Sequence, residues 1–146
     1  MFKKILVAID GSENSKRALE YAAKLQALTN SDLLLLTVYR HHSLLEASMS
    51  MVRSDKSPPT MDDAMREHAT GVADQAKIWA KEAGAENVRA FVKGGQPART
   101  IVKFSQEHGA DLIVIGSRGH GDLEGYLLGS VSHKVTSLAK IPVMVV

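Results

Sequence analysis

Two stretches of this chain hold residue types and spacings that could do chemistry. The first, GSRGHGDLEGYLLGS, runs from Gly116 to Ser130 and contains five glycines and two serines. Glycines let a backbone approach a ligand without a Cβ in the way. In this stretch Gly116 and Gly119 are placed for such an approach. Gly129 and Ser130 are placed to open a helix, which would present free N–H groups and a hydroxyl to an anion. The second stretch, AIDGSENS, places Asp10, Gly11 and Ser12 just after an apolar run. Alone, it also reads as a turn and helix-entry cap.

Familiar phosphate motifs are not the answer. A Walker A loop needs GxxxxGK[ST], and no Gly-Lys pair occurs in the chain. A dinucleotide fingerprint needs GxGxxG, but Glu124 stands where the third glycine after Gly119-x-Gly121 should be. What remains is Gly116-x2-Gly119-x9-Gly129-Ser130. The histidines show neither HxH nor HExxH spacing, so they give no metal motif. With no cysteine, disulfides, thiol catalysis and Cys-based zinc are excluded. Arg118 and His120 could touch phosphate, whereas Asp122 and Glu124 read as solvent-facing.

The elements that must position these loops follow from the apolar pattern. Five short runs, at 4–9, 32–39, 88–92, 111–116 and 142–146, are mostly continuous rather than alternating. That suits strands of a parallel sheet covered on both faces. Helical patterns lie between them. One begins near the capping candidates Asn14 or Ser15 and puts Ala18, Ala22 and Leu25 on one face. Another steps through Met65, Ala69, Val72, Ala76, Trp79 and Ala83 and stops at Gly84. A third opens on Pro97 and closes on Gly109, and a fourth starts at Ser130. The result is βαβαβαβαβ, a doubly wound α/β domain spanning 1–146. In a 3-2-1-4-5 strand order, strands one and four are neighbours and both loops meet at the topological switch point.

Composition adds boundaries. The net charge of +2 is small and its Lys and Arg are dispersed, which argues against a nucleic-acid partner. The opening segment MFKKILVAID lacks the apolar length of a leader, and no segment approaches the roughly 20 apolar residues of a membrane span. A cytoplasmic chain without membrane insertion is the expectation. The stretch from Arg40 to Thr60 is long for a βα connection and carries two prolines. Its Leu44, Leu45, Met49, Met51 and Val52 suggest a lid or contact surface, with a helical turn around Leu44 to Met51.

With its Gly116, Gly119, Gly129, Ser130 spacing, its Ala8-Ile9-Asp10 strand exit and its closing IPVMVV, the chain resembles the universal stress protein family, in particular its ATP-binding branch. The resemblance implies the Rossmann-like fold of the adenine-nucleotide alpha-hydrolase group and a set of roles. Asp10 would hold the ribose hydroxyls, and Val38 would meet the adenine edge through its backbone. Ala8 and Ile115 would flank the base, although Ala8 stands where the family often has proline. Gly116 and Gly119 would line the ribose and α-phosphate, and Gly129, Ser130 and Val131 would hold the phosphates. The ligand would be ATP, with AMP or ADP as alternatives, and Mg²⁺ or Mn²⁺ would come with the phosphates. A carboxylate suits hydroxyl donors better than bare phosphate, which agrees with the role given to Asp10.

The family also implies a homodimer through the last strand, 142–146, which is apolar and unblunted at an edge. The insert and VRAFVKGGQPARTIV resemble the stress proteins associated with TRAP-type solute transporters, whose cytoplasmic face would then be a partner. A regulatory nucleotide sensor is the leading reading, because no P-loop lysine, catalytic base or arginine clamp is evident. Slow ATP hydrolysis, an adenine-nucleotide enzyme, a protein-interaction module without nucleotide and a flavodoxin-like flavin module are the alternatives.

Overall fold

A computed structural model describes residues 1–40, 61–120 and 128–146. The strands are β1 (Lys4–Ala8), β2 (Asp32–Tyr39), β3 (Val88–Gly94), β4 (Leu112–Ile115) and β5 (Val143–Val145). The helices among the described residues are α1 (Glu13–Thr29), α2 (Met61–Glu82), α3 (Pro97–Glu107) and α4 (Ser130–Leu138). All strand pairs are parallel and the order is β3-β2-β1-β4-β5, as the sequence pattern predicts.

The continuous aliphatic runs are explained by a core on each face of the sheet. Successive side chains of a strand point to opposite faces. Ile5 and Val7 of β1 thus pack with Leu33, Leu35 and Val114 under α1 and α2. Leu6 and Ala8 pack with Leu34, Leu36, Ile113 and Ile115 under α3 and α4. Because both faces of β1, β2 and β4 are covered, no polar alternation survives there. The edge strands β3 and β5 are only half-buried along most of their length.

At the entry end of the sheet, Asp111 joins β1 to β4. Its carboxylate accepts the Lys3 and Lys4 N–H groups at 2.8 and 3.1 Å. The opposite end carries the strand exits. In register, Ala8 faces Leu36 and Ile115 faces Val145, so the exits of β1, β2, β4 and β5 open on one rim.

Two helix expectations need correction. Helix α1 starts at Glu13, with Ser12 as N-cap in place of Asn14 or Ser15; the Ser12 side chain accepts the Ser15 N–H. The buried seam of α2 is Ala69, Ala73, Ala76 and Ala80. Ala83 is exposed because it lies beyond the last helical residue, Glu82, and the chain turns away at Gly84 with φ +82°. The expected turn at Leu44 to Met51 lies outside the described residues, as do Asp122 and Glu124. Among the described residues, no helix is long and apolar enough to cross a membrane.

Candidate functional site

The switch point between β1 and β4 is where the two singled-out loops meet. Beyond Ala8 the chain makes one more bond to the neighbouring strand, Ile9 N–H to Leu36 O at 2.8 Å, and then turns. Gly11 takes φ +86°, a conformation that L side chains rarely adopt. This turn lets Asp10 fold back on the start of α1. Its Oδ1 accepts both the Ser12 N–H at 2.9 Å and the Ser12 hydroxyl at 2.5 Å. Ser12 Oγ in turn accepts Ser15 N–H at 3.2 Å, so helix cap and carboxylate orient each other. The partner of Oδ2 is the His120 N–H, a long contact of 3.4 Å. One carboxylate oxygen is therefore committed to the fold and the other is weakly held.

The loop after β4 behaves differently from its sequence reading at two glycines. A Cβ on Gly116 would lie 2.9 Å from both the carbonyl carbon and the Cβ of Asn14, and 3.0 Å from Asn14 O. Glycine is needed there because the first turn of α1 presses against the exit of β4, although Gly116 also lines the cavity. Gly129 is the N-cap of α4 at φ −71° and ψ 170°, an extended conformation open to any residue. Its N–H donates to Ser117 O at 2.6 Å, so it is not one of the free donors expected at this helix start. The first bond along the helix backbone is His133 N–H to Gly129 O at 2.9 Å. The N–H groups of Ser130, Val131 and Ser132 thus precede the helical ladder, and no side chain caps them.

Between these loops lies a cavity of about 270 Å³. Its apolar lining comes from Ala8, Leu36, Val38 and Ile115 at the strand exits, with Pro97 and Ile101 from α3. Asp10, Arg40, Arg118, His120 and Ser130 supply the polar lining. Every residue of the sequence-derived set lines the cavity except Gly129, which sits behind it as the cap. Ser130 is exposed, Val131 half-buried and Gly129 buried.

Charge around the opening is uneven. Among the described lining residues, Arg40 and Arg118 stand against one carboxylate, Asp10. The start of α4 adds the positive end of its peptide dipoles. Together these favour a ligand carrying negative charge at one end, hydroxyls near Asp10 and an apolar body at the strand exits. Among the described residues, no group of His, Asp and Glu is arranged to hold a metal ion.

A universal stress protein family model matches residues 1–146. The chain belongs to the universal stress protein family. It is 34% identical to universal stress protein YxiE of Bacillus subtilis over 148 residues, covering 100% of this chain and 99% of that protein. A solved structure of MJ0577, the Methanocaldococcus jannaschii universal stress protein, superposes with a TM-score of 0.81 at 29% identity, covering 100% of this chain and 96% of that one. A universal stress protein solved in complex with cAMP gives a TM-score of 0.74 at 27% identity, covering 99% of this chain and 97% of that one. The family and the fold expected from the sequence are both established by these matches.

Sequence reasoning named His120 as a residue that could touch phosphate, and it did not single out Leu36, Arg40, Pro97, Ile101 or Ser132 as lining. A signal was available for Pro97 and Ile101. A helix that follows a parallel strand begins at the sheet's exit rim, so its first turn borders the switch point. Arg40 had the same signal, since it directly follows β2.

Proposed function

We propose that this universal stress protein binds an adenine nucleotide, ATP foremost, and that occupancy of the site sets its assembly or its contact with a partner. The observation that carries the proposal is the cavity at the β1/β4 switch point, with Asp10 on one side and the uncapped first turn of α4 on the other. Asp10 Oδ2 is the acceptor for the ribose hydroxyls, and Val38 offers backbone to the base edge. Ala8 and Ile115, 8% and 6% exposed without ligand, provide flat apolar contact for adenine. The Ser130 hydroxyl, the N–H groups of Ser130 and Val131, and Arg118 take the phosphates. The nucleotide-bound relative solved with cAMP supports the adenine class.

A divalent cation, when present, neutralises phosphate charge; it would be held mainly by the phosphates, since Asp10 is the one acidic residue among the described lining residues. A sensor is favoured over a catalyst because no Gly-Lys pair exists in the chain to supply a P-loop lysine. For assembly, β5 ends the sheet and leaves an edge for a second copy to extend as a symmetric antiparallel pair. The transporter contact expected of the insert falls on 41–60, outside the described residues.

The test is to denature purified protein and resolve what it releases by anion exchange, alongside calorimetric titration with ATP and Mg²⁺. Adenine nucleotide released in near-stoichiometric amount, or saturable ATP binding, supports the proposal. The absence of both in folded protein refutes it.

A further inference from the structure

Ser132 is almost fully buried, at 3% exposure, yet its side chain does not pack as an apolar group would. Its hydroxyl donates to Ser117 O at 2.7 Å, a bond that leaves α4 for the loop after β4. The same Oγ lies 3.1 Å from Gly129 O within its own turn. Serine near a helix start commonly satisfies itself locally or turns to solvent. Here it crosses to another element, and the carbonyl it reaches already accepts the Gly129 N–H at 2.6 Å. One carbonyl therefore gathers two donors from the opening of α4.

Satisfaction of a buried hydroxyl would account for one such bond. Location adds a second consequence. The turn that Ser132 fastens is the turn whose uncapped N–H groups and Ser130 hydroxyl border the cavity. Gly129 has no side chain to fix that turn, so the anchoring falls to the Gly129 N–H and the Ser132 hydroxyl.

We infer that Ser132 is a positioning residue for phosphate recognition: its hydroxyl, bonded to Ser117 O, holds the first turn of α4 at a fixed distance from the exit of β4. The inference rests on the nucleotide reading above. Donors fixed before binding need not be ordered by the ligand, so the benefit falls on the phosphates and not on the base.

The experiment compares the intact protein with Ser132→Ala and Ser132→Thr, titrating each with ATP and with adenosine. Loss of one positioning hydrogen bond is expected to weaken ATP about three- to tenfold in Ser132→Ala, leave adenosine unchanged, and be largely restored in Ser132→Thr. Equal weakening of both ligands, or of neither, overturns the assignment. Amide exchange followed by NMR without ligand supplies the second arm. The Gly129 amide should exchange faster in Ser132→Ala while core amides such as Leu34 keep their rates. If the intact protein binds no ATP, the nucleotide reading fails by itself, and unchanged Gly129 exchange then refutes the positioning role independently.

Discussion

Replacing Asp10 by asparagine isolates what its carboxylate does for a ligand. Asparagine keeps a side-chain oxygen that can accept the Ser12 N–H and hydroxyl, now at 2.9 and 2.5 Å from Oδ1. The cap of α1 and the turn at Gly11 should therefore survive, and the thermal midpoint should move by no more than the equivalent of about 0.5 kcal/mol. What changes is the other position. Oδ2, with its long 3.4 Å contact to His120 N–H, becomes an NH₂ group that donates where a carboxylate oxygen accepted. A hydrogen bond to a charged acceptor contributes about 1.5–3 kcal/mol. Asp10 is exposed, so the lower end applies. The expected loss is about 1.5 kcal/mol, or about tenfold in ATP affinity. The assay is calorimetric titration of both proteins with ATP and with 2′,3′-dideoxy-ATP. The dideoxy ligand lacks the hydroxyls that Oδ2 would accept, so it should bind both proteins equally. An equal loss for the two ligands would refute the reasoning, because the effect would then come from charge or from a disturbed turn and not from hydroxyl recognition.

Two further substitutions separate the fold from the site. Gly116→Ala forces a Cβ to within 2.9 Å of Asn14 carbon atoms; overpacking of this kind costs about 1–3 kcal/mol, read as a lower thermal midpoint of ligand-free protein. An unchanged midpoint would mean that the first turn of α1 yields freely and that Gly116 is not needed for packing. Gly71→Ala lies in the exposed middle of α2, where an added Cβ meets nothing within 4 Å. It should stabilise by about 0.5–1 kcal/mol, seen as a higher urea midpoint with an unchanged slope; a lower midpoint would count against the helix placement.

The parts of the fold legible in the sequence were those governed by local pattern. Buried strands such as β2, DLLLLTVY, read as unbroken apolar runs because helices cover both faces, and their bounds matched closely. The end of α3 was legible because Gly109, at φ +67°, occupies a conformation that glycine favours. The start of α1 was not. Three neighbouring residues there, Ser12, Asn14 and Ser15, are all good caps, and the choice is made by Asp10 reaching back over Gly11. In the site, Asp10 and Ser130 stood out by residue type and spacing. Gly116 stood out too, but for a reason the spacing does not contain, since its neighbour Asn14 is distant in sequence. Pro97, Ile101 and Ser132 carry no motif. They reach the cavity because α3 and α4 pack on the same face of the sheet, which is a tertiary outcome.

Ser117 has a second attachment. Its N–H donates to Val146 O at 2.6 Å, while Val146 N–H donates to Ile115 O at 2.9 Å, continuing the β4–β5 ladder past the strand ends. The open edge of the sheet and the mouth of α4 therefore share one residue, the first through its N–H and the second through its C=O. A strand added along β5 and an anion seated on α4 would both bear on that residue. Thermodynamic linkage then makes the relation mutual: whatever factor the ligand lends to pairing at the edge, pairing returns to the ligand. Were both contacts to form, concentration of the protein and concentration of the nucleotide would become two readings of one equilibrium.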